Sequence, residues 1–105
     1  MIHRAGLPPF RPLYLEIEGR DAYLSAIAQM ELEYEPGTRT VYSDLGFMTL
    51  AFVIESVSGQ GLDEFLEERV WDRLGMRDTG FRPAGALRNR IAPTEVDTFF
   101  RNTHV

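Results

Sequence analysis

The sequence predicts a mostly α-helical fold with little strand, and three observations carry that expectation. Apolar residues recur at helical spacing in two segments and cover almost the whole circumference of a third. Gly59 and Gly75 stand just past the ends of two of these segments, where a left-handed residue closes a helix. No Asn-Gly or Asp-Gly pair separates alternating runs, so the hairpin signal is missing.

Residues 1–20 carry Gly6, Pro8, Pro9, Pro12 and Gly19 and read as a loop or extended arm. Asp21 is the expected N-cap of a helix over 22–30, with Tyr23, Leu24, Ile27 and Met30 on its buried face. Pro36-Gly37 then turns the chain into a short β-prone stretch. Asp44 is the expected N-cap of a second helix, 45–58, closed by Gly59. Leu45, Phe47, Met48, Leu50, Ala51, Phe52, Val53, Ile54 and Val57 make that helix apolar all round, which is the pattern of a central helix. A chain of 105 residues has little with which to surround it, so its neighbours are expected in a larger protein. A third helix, 62–73, sets Leu62, Phe65, Leu66, Val70 and Leu74 inward and stops at Gly75. Trp71 and Met76 read as core. From Arg82 onward Pro83, Gly85 and Pro93 predict irregular structure.

Length limits the chain to one domain at most, and 44% hydrophobic with 26% charged residues is a globular composition. A net charge of −5 argues against a nucleic-acid partner, which needs a basic face. Six acids between Glu16 and Glu35 face a single base, Arg20, and read as a solvated surface. There is no Cys, which excludes disulfides and thiol nucleophiles; His3 and His104 lack ligand-like spacing, so no metal site is expected. All eleven basic residues are Arg. No Schiff base, P-loop or Ser-Lys pair can be completed from such a chain. Met1–Arg4 opens no secretory signal, and the most apolar run, 45–54, is too short to span a membrane.

Chemistry concentrates at Tyr42-Ser43-Asp44, where a phenol and a carboxylate stand two residues apart at the mouth of the apolar helix. Three bland roles compete: Tyr42 as a buried ring closing a helix corner, Asp44 as a cap, and Ser43 as a helix-start residue with no nucleophile elbow around it. Glu55, inside the apolar helix, is expected to pair with an Arg such as Arg39 or Arg69.

Taken in order, Pro36-Gly37-Thr38, Tyr42-Ser43-Asp44, Leu45-Gly46-Phe47, Ile54-Glu55, Ser58-Gly59, Leu74-Gly75-Met76, Asp78-Thr79 and Phe81 resemble the serine β-lactamase and penicillin-binding-protein-like superfamily. The branch resembled holds class C β-lactamases, D-alanyl-D-alanine carboxypeptidases and related esterases. His3-Arg4-Ala5-Gly6-Leu7-Pro8 is similar to the branch's His-Thr-Ser-Gly-Leu-Pro, with Arg4 and Ala5 replacing Thr and Ser. The similarity runs over residues 3–97. It implies the helical-subdomain portion of a β-lactamase/transpeptidase-like α+β fold, so that 1–105 is a partial domain.

The resemblance implies three motifs: Ser-x-x-Lys, Tyr-x-Asn, and Lys-Thr-Gly or His-x-Gly. Tyr42-Ser43-Asp44 matches the second at its Tyr only, and the other two are not seen in this chain. By resemblance Tyr42 is the catalytic base, a tyrosinate favoured by nearby motif lysines, and Asp44 is substrate-binding. Asn donates and accepts, whereas an ionised Asp only accepts, holds a lysine cationic and disfavours a tyrosinate beside it. His3 is implied to pack or hydrogen-bond behind the site.

The activity implied is hydrolysis of ester, amide or peptidoglycan-related bonds through an acyl-serine, with no cofactor. The implied partners are a small acyl substrate and the remaining segments of the parent chain, and the implied location is periplasmic or extracellular. The chain alone is expected to be silent. A stand-alone helical interaction module and a non-catalytic paralogue are the alternatives.

Overall fold

A computed structural model describes residues 3–94, 96–98 and 103–104. The predicted helical character is found. Helix α1 spans Arg20–Ala28, α2 spans Asp44–Ser58 and α3 spans Leu62–Leu66; a π-helical turn, Glu67–Trp71, continues α3 into a last turn, α4, Asp72–Leu74. A single 3-10 turn occupies Leu13–Leu15, and a two-turn 3-10 helix Gly85–Arg90. Among the described residues strand is confined to β1 (Val96–Asp97) and β2 (Thr103–His104), paired antiparallel with Val96 opposite His104.

The chain-stopping glycines behave as the sequence predicts. Gly59 (φ 70°) and Gly75 (φ 67°) close α2 and α4 in the left-handed region, which costs glycine nothing. Pro36-Gly37 forms its turn, with Gly37 at φ 87° and the Thr38 amide donating to the Glu35 carbonyl at 3.1 Å.

Two caps are corrected. Helix α1 starts two residues early, with Gly19 at the N-cap, and Asp21 sits in the first turn. The Asp21 carboxylate accepts from the Arg20 guanidinium at 3.1 Å rather than capping the backbone. At α2 the cap is Ser43, whose Oγ accepts from the Gly46 amide at 3.1 Å, and Asp44 is the first helical residue. Asp44 there favours the positive end of the helix dipole without capping it.

One residue from each of three segments makes the buried apolar core: Leu7 of the arm, Ile27 of α1 and Leu45 of α2. Ala5, Leu13, Met30 and Phe52 pack on it. Much of the predicted inner surface remains open. Phe47, Val53 and Val57 of α2 are 50%, 49% and 85% exposed, and Leu24 and Leu74 are exposed as well. Met76 is exposed rather than core, and Trp71 is partly covered, its ring 5.7 Å from that of Phe81.

The exposed area is 8250 Å². A compact monomer of 12.0 kDa exposes about 6,000 Å². The radius of gyration is 16.2 Å, against about 13 Å for a compact domain of this length. No single helix among the described residues is long and apolar enough to cross a membrane.

Candidate active site corner

The arm, residues 3–9, runs alongside the segment that delivers Tyr42, and backbone bonds tie the two together. Gly6 and Arg4 carbonyls accept from the Glu33 and Gly37 amides, and the His3 and Pro9 carbonyls accept from the Val41 and Asp44 amides, each at 2.9 Å. The Arg4 guanidinium also donates to the Gly37 carbonyl. Gly6 is required here: its φ is 84°, and a Cβ would lie 2.5 Å from the Tyr34 carbonyl oxygen.

Ser43 is the buried centre of the corner, 3% exposed. Its Oγ donates to the Pro8 carbonyl at 2.7 Å while accepting from Gly46, and its amide donates to His3 Nδ1 at 3.1 Å. A hydroxyl committed to both a cap and a carbonyl is a helix-start group, as the sequence suggests. The His3 ring lies 4.5 Å from the Tyr42 ring and 4.7 Å from that of Phe47. His3 therefore packs and hydrogen-bonds directly behind Tyr42, in the role the resemblance implies.

Tyr42 itself is 71% exposed, so within these residues no buried ring closes the corner. Asp44, half-buried one turn-start further on, has its amide on Pro9 and leaves capping to Ser43. The structure thus brings His3, Tyr42, Ser43 and Asp44 to one corner. Among the described residues no cluster of His, Asp and Glu could hold a metal ion; the side chain of His104 lies outside them.

Glu55 was expected to meet Arg39 or Arg69 and instead meets Arg20, whose Nε lies 2.7 Å from Glu55 Oε2. The Arg20 guanidinium also sits 5.2 Å from the centroid of the Phe52 ring. The other Glu55 oxygen accepts from the Leu62 amide at 3.2 Å, capping α3. Hydrogen bonds from Arg20 and from the Leu62 amide hold the Glu55 carboxyl below the usual range, and Arg20 is correspondingly raised. Asp63 is lowered by the Glu64 amide and by Arg82. Spacing alone could not find Arg20, which lies 35 residues before Glu55.

A groove of about 450 Å³ is lined by residues of the 77–91 segment, including Phe81, Leu87 and Ile91, and involves none of the corner residues.

Comparison with known proteins establishes the class to which this helical scaffold belongs, that of the serine β-lactamases and penicillin-binding proteins. The β-lactamase family matches residues 1–101, and the chain belongs to it. It is 36% identical over 107 residues to an Escherichia coli K12 protein described as "Putative D-alanyl-D-alanine carboxypeptidase", covering 92% of this chain and 25% of that protein. A Salmonella newport protein of the same description is 36% identical over 81 residues, covering 75% of this chain and 19% of its own length. The chain thus spans about a quarter or less of these curated relatives. The crystal structure of a penicillin-binding protein from Bacillus halodurans superposes with a TM-score of 0.67 at 27% identity, over 81% of this chain and 31% of that one. The fold is accordingly a helical portion of the penicillin-binding-protein fold, and the family is one of serine hydrolases.

Proposed function

We propose that residues 1–105 are a partial β-lactamase-like domain whose parent hydrolyses ester, amide or peptidoglycan-related bonds through an acyl-serine. The nucleophile motif and the third motif come from other segments of that polypeptide. In this reading Tyr42 is the general base: as the serine attacks the acyl carbonyl, its proton passes to the Tyr42 oxygen, in the tyrosinate form favoured by the motif lysine. That proton passes on to the departing alcohol or amine as the substrate's acyl bond breaks. Water then attacks the acyl-serine, giving its proton to Tyr42, which hands it to the leaving serine oxygen as the acid is released. Asp44 faces the substrate and that lysine as an acceptor only, which tunes the site towards esters.

The observation that carries the reading is the exposure of Tyr42. A 71% exposed phenol, propped by His3 at 4.5 Å, is a side chain held rigidly but left uncovered. The chain's surface supports the same reading, because it exceeds that of a compact monomer by about 2,000 Å², the size of a permanent interface. The names of the relatives favour an acyl substrate of the D-alanyl-D-alanine type, whose scissile bond is an amide, and the acceptor-only Asp44 shifts this site from that amide towards the corresponding ester.

The test is covalent labelling of the intact polypeptide with a fluorescent penicillin or an alkyl phosphonate. Wild-type protein is expected to label, Tyr42→Phe to label about 10²–10⁴-fold more slowly, and the 105-residue chain alone not at all. Full labelling of Tyr42→Phe removes the base assignment. An intact wild type that takes neither probe favours the non-catalytic paralogue.

A further inference from the structure

The residue flanking the site on the arm has more contacts than packing requires. His3 accepts from the amides on both sides of Tyr42: its carbonyl from Val41 at 2.9 Å and its Nδ1 from Ser43 at 3.1 Å. The Tyr34 hydroxyl also donates to the His3 carbonyl, at 3.3 Å. The backbone of Tyr42 is thereby bracketed by a single residue. The same imidazole lies against the Tyr42 phenol at 4.5 Å, tilted by 31°, and against Phe47 at 4.7 Å.

His3 achieves this in a backbone conformation that a non-glycine residue rarely adopts, with φ at 54°. Strain of that kind persists only where surrounding contacts over-determine it, and it concentrates at functional sites. Here the determining contacts are the two amides beside Tyr42. An apolar ring would supply the stacking but not the acceptor for Ser43, and the Ser43 amide belongs to the residue that caps α2.

We propose that His3 is a positioning residue for Tyr42, fixing its phenol through the neutral tautomer that carries its proton on Nε2 and accepts at Nδ1. The proposal rests on the reading of Tyr42 as the base. An imidazole protonated at Nδ1 has no lone pair there for the Ser43 amide, so the bond in the structure fixes the tautomer. With the bracket intact, α2 and the phenol share one rigid origin. Without it the ring keeps its place in the sequence but loses its aim, and misplacement by about 1 Å can cost 10²-fold in rate.

Two variants separate the acceptor from the ring. His3→Asn retains an amide oxygen near the Nδ1 position and removes the imidazole; His3→Phe retains a ring and removes the acceptor. The intact polypeptide is labelled with the penicillin or phosphonate probe, and saturation kinetics with an activated ester give kcat and KM, at a temperature where circular dichroism shows each variant folded. His3→Phe is expected to lose about tenfold or more in kcat and in acylation rate with KM within about twofold, and His3→Asn to recover part of that loss. In parallel, nitrogen-15 NMR of histidine-labelled wild type is expected to show His3 with its proton on Nε2. A proton on Nδ1 overturns the proposal even if the variants fail to fold. So does a wild type that labels while folded His3→Phe labels at the same rate. A wild type that takes no label at all sinks the functional reading itself, a distinct result that takes the catalytic half of this proposal with it.

Discussion

At the scale of single residues, the Tyr-Ser-Asp triplet shows how one position of register decides chemistry. Ser and Asp are both good caps, and nothing local distinguishes them. The choice is made by the arm, because Pro8 and His3 offer partners to the Ser43 hydroxyl and amide, whereas the arm's bond to Asp44, from Pro9, is to its amide. That contact spans 35 to 40 residues of sequence and was invisible to a reading by spacing. Its consequence is that the Asp44 carboxylate is not used as the cap; in the function proposed above it faces the substrate. Asp44→Asn restores a donor at that position. The intact enzyme carrying it is expected to gain about tenfold in the ratio of amide to ester turnover, the worth of one hydrogen bond to a reacting substrate. An unchanged ratio from paired initial-rate assays counts against a substrate-facing role.

At the scale of elements, the helices were legible and their joints were not. Apolar periodicity and the closing glycines located all the main helical segments, since both signals are local. The π-helical turn at Glu67–Trp71 left no mark in the apolar stripe, which continues through it. The principal joint is Glu55, which ties α1 through Arg20 and the start of α3 through the Leu62 amide. Helix α2 and the Leu62–Leu74 helical run are bent by 79° to one another at that joint. Because the Glu55 carboxyl is held below its ordinary value in the folded state, the unfolded chain binds a proton there first as pH falls. Its contribution to stability is therefore complete above the unfolded value of about 4.3 and disappears as pH drops through the lowered folded value. Urea midpoints of the wild type are expected to fall across this window, and those of Glu55→Gln to start lower at pH 7 and fall less. Parallel pH profiles for the two proteins would show that the carboxylate contributes nothing to the joint.

At the scale of the molecule, composition, class and the shortage of cover for α2 were legible, and which of its residues stay open was not. The all-round apolar character of α2 predicts a central helix whose neighbours lie largely outside a chain this short, and the thin cover agrees: only Leu45 and Gly46 are buried, while Phe47, Val53 and Val57 face outward. Apolar surface of this extent on one helix normally marks an interface. A chain spanning about a quarter of its curated relatives has such an interface ready if those relatives' other segments pack on it. The absence of Cys makes this measurable, since one engineered thiol is the only thiol present in these residues. Val53→Cys and Val57→Cys place that thiol on the open face. Alkylation by iodoacetamide is expected to be at least about tenfold slower in the intact polypeptide than in the 105-residue chain, because a buried thiol reacts only through local opening. Equal rates at both positions mean that α2 remains open in the full protein. In that case the apolar face is free for another partner, and the interaction-module reading replaces the one proposed.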